Sequence, residues 1–151
     1  MTHPIIESWR INQQTNRQLL DMIPDEHLTA RYGSRTRTIA ATFAHIHHVR
    51  IQWLGAANLD KEEGLERLRR DDGKETEFLK RHLDRSAEVM EQMLEKGIAK
   101  GKVSGFKGSP TAFLSYLIAH EAHHRGQIIV SLRQNGHLLG ADGIHSLWNW
   151  G

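Results

Sequence analysis

The chain has 151 residues and carries 20 lysines and arginines against 18 aspartates and glutamates, so its formal net charge is only +2. This length suits one domain over residues 1–151, and the small net charge with mixed signs disfavours nucleic-acid binding. The absence of cysteine excludes disulfides and thiolate ligands and fits a reducing cytoplasm, and no signal-peptide pattern or membrane-spanning apolar run is present.

Two helices are predicted in the first third of the chain. The first spans about residues 5–22 and ends before Pro24, which cannot continue a helix. The second is capped by Ser34 or Thr36 and continues to about Leu54. Its apolar positions step by three or four residues, the spacing of an amphipathic helix: Ile39, Phe43, Ile46, Val49 and Trp53.

Two further helices are predicted after a charged connection. The third spans about residues 75–95, and the glycines from Gly97 onward are expected to break the chain into a loop. Ser109 and Pro110 then form a helix start signal, and the fourth helix reaches Gln134. Four long amphipathic helices without a clear strand pattern predict an all-α fold, an antiparallel four-helix bundle.

The C-terminal tail ends in the sequence LWNWG, over residues 147–151. Exposed tryptophan indoles are unfavourable for solubility. We therefore expect Trp148 and Trp150 to be buried against the bundle and to hold the tail in place.

Histidines are concentrated in two of the predicted helices. His120 and His124 are four residues apart, which places both imidazoles on one side of the fourth helix, one turn apart. Two imidazoles beside a core need polar partners, and a metal ion would serve both. The alternative is a pair of surface or hydrogen-bonded histidines, which is the more common situation for an isolated pair at this spacing.

A third histidine from the second helix would complete a metal site that keeps one position open. The candidates are His45, His47 and His48. Helical periodicity does not decide among them, because His45 and His47 lie on opposite edges of the apolar stripe and His48 lies further toward solvent.

Glu121 is predicted near the centre of the apolar face of the fourth helix, where a carboxylate is unusual. It could accept a hydrogen bond from a ligand histidine or act as a catalytic base. An ion pair with Arg125, four residues on, explains it about equally well. For Arg125 and Gln127 we favour a structural role in joining helices over substrate binding.

Residues 120–124 also match the HExxH pattern of zinc peptidases, in which the glutamate is the general base. The longer form of that pattern fails, because Gln127 and Val130 stand where it requires Gly and His. A zinc hydrolase is therefore a minor hypothesis.

Three motifs together resemble the DinB-like (DinB/YfiT) metalloenzymes. They are HIHHVRIQW at residues 45–53, HEAHHRGQI at residues 120–128 and the LWNWG terminus. The resemblance implies a four-helix bundle, often a homodimer, that holds a divalent ion, commonly nickel or zinc, through His45, His120 and His124. The chain departs from the commoner pattern at Arg50, where many members carry an acidic residue.

Some members of that family are transferases or isomerases that use low-molecular-weight thiols. The resemblance therefore implies a metal-dependent enzyme, a thiol S-transferase acting on a small-molecule electrophile. The alternative is a non-catalytic metal-binding protein of the stress response. An open metal position would favour the enzyme, and a closed site with four protein ligands would favour the structural role.

Overall fold

The computed structural model describes all 151 residues, and its regular secondary structure consists of helices only. Its helices are α1 (Pro4–Asp21), α2 (Ile39–Ala56), α3 (Thr76–Lys100), α4 (Pro110–Gln134) and α5 (Gly140–Ser146), with a short 3₁₀ turn at Asp25–His27. The predicted all-α bundle of four long helices is confirmed. None of the helices combines the length and the apolar character that crossing a bilayer would require.

In two pairs of neighbouring helices, α1 with α3 and α2 with α4, the two partners run antiparallel. Residue numbers rise along one helix as they fall along its partner, as these contacts show: Arg10–Glu91 and Arg17–Asp84 between α1 and α3, and His45–His124 and Trp53–Tyr116 between α2 and α4. The second pair is the one that brings the two histidine-rich segments together.

Helices α2 and α3 run in the same direction. His47 lies against His82, and Arg50 donates to Ser86, so the residue numbers advance together. The long segment 57–75 makes this possible, because it returns the chain to the end of the bundle where α2 begins. Gly73 of that segment approaches Ala40 so closely that a Cβ at position 73 would lie 3.0 Å from the Ala40 Cβ.

Two helix boundaries differ from the prediction. Helix α2 starts later than expected, since its N-cap is Thr38, whose hydroxyl accepts from the Ala41 amide at 3.1 Å. Helix α3 continues through Gly97 and ends at Gly101, which adopts a positive φ of 70°. Gly97 allows close packing, because a Cβ there would lie 2.8 Å from Val103 Cγ2.

The apolar core consists of two clusters, one toward each end of the bundle. One contains Trp9, Leu54 and Phe113, and the other contains Leu19, Phe43 and Ile128. Between them lies a layer of buried polar side chains, here called the buried polar layer: Asn12, Gln13, Asn16, Arg50, Ser86 and Glu121. Each long helix therefore interrupts its apolar stripe near the middle of the bundle.

The C-terminal tail packs differently from the prediction. Leu147, directly after α5, is buried in the second core cluster. The expectation that both tryptophans are buried is wrong, because Trp148 is 72% exposed and Trp150 is 58% exposed. The chain turns immediately after Leu147, with Trp150 Nε1 donating to the Leu147 carbonyl, so Leu147 is the residue that anchors the tail.

Candidate metal centre

The structure brings together the three histidines that the family resemblance implied. His45 projects from α2, and His120 and His124 project from α4 one turn apart. Their candidate ligand nitrogens all lie within 4.8 Å of one another. These three residues are called the histidine cluster below, and on α4 its two members lie on either side of Glu121 in the sequence.

The spacing of the α4 pair matches that of two ligands on one ion. His120 Nε2 and His124 Nε2 are 3.1 Å apart, which is also the distance of a hydrogen bond between two imidazoles when one of the two nitrogens carries a proton. Two nitrogens bonded at about 2.0–2.1 Å to one tetrahedral ion are separated by about 3.3 Å. The His45 ring centroid lies 4.6 Å from that of His124, about the same as the 4.5 Å between the centroids of His120 and His124, and 5.4 Å from that of His120. All three rings are therefore close enough together to offer one nitrogen each to a shared ion.

The neighbouring histidines of α2 are engaged elsewhere. His47 is fully buried, and its Nε2 lies 3.0 Å from the Glu66 carbonyl oxygen. His48 Nε2 accepts from the Leu68 amide at 2.9 Å. Both side chains therefore connect α2 to the segment that leads to α3, and only His45 of the three lies beside the α4 pair.

The histidine cluster favours uncharged imidazoles. Burial, reinforced by the charge of Arg37 and by the neighbouring histidines, lowers the pKa of His45 to about 4. Burial is also the main cause that lowers the pKa values of His120 and His124. The three rings are consequently neutral at neutral pH, which is the protonation state that can bind a metal ion.

Glu121 follows His120 in sequence but faces the interior of the bundle. Its side chain is only 1% exposed and forms an ion pair with Arg50 at 2.7 Å. The remaining hydrogen bonds to its carboxylate come from Asn12 and Asn16 on α1, at 2.7 and 2.9 Å. Arg50 and the two asparagines outweigh the effect of burial and keep the pKa of Glu121 below its usual value.

The ion-pair partner of Glu121 is thus Arg50 and not Arg125, which the sequence had offered as one of two explanations. No hydrogen bond links the Glu121 carboxylate to a histidine of the cluster. A peptidase of the HExxH type needs this carboxylate at the metal-bound water. The buried contacts of Glu121 therefore disfavour both the zinc hydrolase and the role of Glu121 as a base.

Arg50 was not identified as an interacting residue from the sequence. All five of its N–H groups are used: Nε and Nη2 donate to Glu121, Nη1 to the Leu83 carbonyl and the Ser86 hydroxyl, and Nη2 also to Gln13. The sequence did contain a signal for this pair, because Arg50 lies on the apolar stripe of α2 and Glu121 lies on the apolar stripe of α4. Two opposite charges at core positions of two helices predict a buried pair.

The two other polar residues of the α4 motif have different contacts. Arg125 Nη1 donates to Asn12 Oδ1 at 2.9 Å and to Asn16 Oδ1 at 2.8 Å, so it joins α4 to α1 as predicted. Gln127 contacts only histidines of its own helix through its side chain, His124 and His123. The prediction that Gln127 joins helices is wrong.

Fold and site together define a class of protein, an all-α bundle with a central three-histidine cluster suited to a divalent metal ion. The model of the DinB family matches residues 1–142, which include all three histidines. The chain belongs to the DinB family, and it is a metal-associated protein of that type. No curated protein matches the chain.

Proposed function

We propose that the protein binds one divalent ion, nickel or zinc, through His45, His120 and His124, and is a metal-dependent transferase for a small thiol. The observation that carries this proposal is the histidine cluster itself, three neutral imidazoles gathered from two helices. The family of the chain and the ligand-like 3.1 Å spacing of the α4 pair support it.

The composition of the cluster points to an exchangeable position on the ion. The group contains three residues, and no carboxylate or fourth histidine belongs to it. Three protein ligands with an open position are the pattern of catalytic sites. Neutral ligands also leave the double positive charge uncompensated, which favours an anionic ligand such as a thiolate.

The chain would contribute orientation and charge to the reaction. When bound, the ion would favour the thiolate form of a low-molecular-weight thiol, which is the nucleophilic form. The thiolate sulfur would form a bond to an electrophilic carbon, and the leaving group would depart with its electron pair. Arg37, which lowers the pKa of both His45 and His124, adds positive charge on this side of the bundle and favours anionic substrates.

The proposal is tested first by metal content. Protein purified without a histidine tag should contain or take up about one divalent ion per chain. Loaded with Co(II) or Ni(II), it should show ligand-field bands that shift when a small thiol is added. If the protein binds one ion per chain but no small thiol changes its spectrum, the transferase proposal is contradicted and the proposed metal site is retained.

A non-catalytic metal-binding protein is the second candidate, and one observation favours it. Five surface cavities with volumes of about 230 to 370 Å³ have none of the three histidines in their walls. None of these cavities would therefore hold a substrate against the cluster. Transfer of a thiol to an electrophile such as a chlorodinitrobenzene, dependent on the bound ion, would separate the enzyme from this alternative.

We also propose that two copies of the chain associate. Large apolar side chains remain on the surface, with Leu138 74% exposed and Trp148 72% exposed. Such residues are common at interfaces between subunits. Sedimentation equilibrium should give twice the chain mass of 17.3 kDa, and a monomer at micromolar concentration would contradict this proposal.

A further inference from the structure

Gln127 lies behind one histidine of the cluster and contacts the ring nitrogen that faces away from the other imidazoles. Its Oε1 is 2.8 Å from His124 Nδ1, while His124 Nε2 faces His120 Nε2. An amide oxygen can only accept a hydrogen bond. With the amide in this orientation, the proton of the neutral His124 ring is on Nδ1, and its Nε2 lone pair accepts the hydrogen bond from His120 Nε2–H.

The opposite orientation of the amide would disfavour metal binding. If the Gln127 nitrogen faced His124 Nδ1, it would donate to that atom and place the ring proton on Nε2. A ring protonated on Nε2 has to move that proton to Nδ1 before Nε2 can bind a metal ion, and an amide nitrogen facing Nδ1 opposes this change. The orientation of one amide group thus decides whether His124 offers a lone pair to the cluster.

His123 contacts the other end of the Gln127 amide. Its Nε2 lies 3.2 Å from the Gln127 Nε2, which can only donate, so a His123 ring whose Nε2 carries the lone pair accepts there and favours the orientation with Oε1 toward His124. His123 is exposed and does not belong to the histidine cluster. The three side chains form a chain of two hydrogen bonds on one helix, from His123 to Gln127 and from Gln127 to His124.

We propose that Gln127 is a positioning residue that holds His124 in the Nδ1–H tautomer and thereby aims its Nε2 at the metal ion. This inference rests on the proposed metal site and adds a requirement to it. Hydrogen bonds of this kind typically contribute a factor of roughly 10–100 to metal affinity. His123 does not contact the ion's ligand nitrogen itself and acts by orienting the Gln127 amide.

Three variants on α4 separate positioning from packing. Gln127→Met keeps the length of the side chain and removes both hydrogen bonds. Gln127→Glu restores an acceptor for His124 Nδ1, although it cannot donate to His123. Gln134→Met is the matched control, because Gln134 lies on the same helix and its side chain makes no hydrogen bond within the chain.

The first readout is the tautomer of His124 in metal-free protein. Two-dimensional ¹⁵N NMR of histidine-labelled samples distinguishes a ring protonated on Nδ1 from one protonated on Nε2. The wild type and Gln127→Glu should show the Nδ1–H form. In Gln127→Met the Nε2–H form should appear, whereas Gln134→Met should leave the spectrum of His124 unchanged.

The second readout is metal affinity, measured by competition with a chelator and accompanied by a melting temperature for each variant. Gln127→Met should bind roughly 10- to 100-fold more weakly, and Gln127→Glu should regain the affinity of the wild type. His123→Ala should cause a smaller loss than Gln127→Met, because the acceptor on Gln127 remains.

The two proposals fail in different ways. A wild type that binds no divalent ion would overturn the proposed function, and the tautomer of the metal-free protein would still decide the role of Gln127. Wild-type affinity and an unchanged His124 tautomer in Gln127→Met would overturn the positioning role alone. A loss that Gln127→Glu does not restore would assign Gln127 to packing and would also overturn it.

Discussion

His120 and Glu121 are neighbours on α4, yet they belong to two polar groups that differ in one essential respect. Glu121 takes part in the buried polar layer, where its partner Arg50 has every N–H group matched by an acceptor. His120 takes part in the histidine cluster, where its Nε2 faces His124 Nε2 at 3.1 Å. The first group is closed by an ion pair with matched hydrogen bonds, whereas the second holds three neutral imidazoles with one hydrogen bond between them, which a metal ion could replace.

The difference follows from helix geometry and from charge. Successive residues leave a helix about 100° apart, so Glu121 faces α1 and α2 in the interior while His120 faces the edge between α2 and α4. A buried ion pair requires nearly complete hydrogen bonding to offset its desolvation, and Arg50 with Glu121 achieves it. Converging neutral imidazoles instead favour the binding of a cation. Residues that look alike in one motif can therefore serve stability in one case and ligand binding in the other.

The largest effect is expected from removing both α4 ligands. His120→Ala combined with His124→Ala leaves a single histidine of the cluster, which cannot hold a divalent ion. Stoichiometric metal binding, measured by plasma mass spectrometry after dialysis, should disappear. The metal-free variant should melt close to the wild type, because the buried polar layer is intact. An ion retained at one per chain would show that the histidine cluster is not the binding site.

The second effect concerns the buried polar layer and should appear in stability. Glu121→Ala leaves Arg50 buried without its counter-charge and should lower the free energy of unfolding by about 3–5 kcal/mol in urea titrations. Glu121→Gln keeps an acceptor and should lose less.

A double replacement provides the control for this second prediction. Arg50→Met with Glu121→Leu removes both charges and should recover part of the stability lost in Glu121→Ala, although the Asn12 and Asn16 amides then lose their acceptor. Glu121→Gln should also keep the metal site and lose only a little affinity, because its side chain does not contact the cluster and the charge of Glu121 acts on His120 and His124 through space alone. A folded Glu121→Gln protein with strongly weakened metal binding would contradict the separation of the two groups.

The third effect distinguishes the histidines of α2. His45→Ala should weaken metal binding by a factor on the order of 100 or more, beyond the effect of residues that only contact a ligand. His48→Ala should leave metal affinity unchanged, since that ring accepts from the Leu68 amide outside the cluster. Isothermal titration calorimetry of the two variants with a divalent ion measures both affinities. Greater damage from His48→Ala would place the third ligand one turn along α2.

The sequence predicted the bundle because the apolar stripes and the start signals are local properties of each helix. Ser109 caps α4 as predicted, and its hydroxyl accepts from the Ala112 amide. The start of α2 was misplaced because Thr36 also has a local use, exchanging hydrogen bonds with Gly33 in a turn before the helix. Local patterns do not determine which of several polar residues forms the cap.

The candidate site was predictable in part. The spacing of His120 and His124 gave the α4 pair, whereas His45 rested on the family motif, since periodicity could not choose among three histidines of α2. The partners of Glu121 were missed because they come from α1 and α2, more than 70 residues away along the chain. The hydrogen bonds of Gln127 to His123 and His124 were missed because helical spacing does not determine how a side-chain amide is oriented.

The smallest expected effect compares two arginines, Arg37 near the open cluster and Arg50 in the closed layer. Arg37 is exposed, and its charge lowers the pKa of His45 and His124, so it acts on the cluster through space. Arg37→Gln should leave stability unchanged and weaken the binding of an anion such as azide to the Co(II) protein about two- to fivefold. The loss should shrink at high salt, because exposed charges are screened. Arg35→Gln, also exposed, is the control, and an equal loss in both variants would mean that only net charge matters.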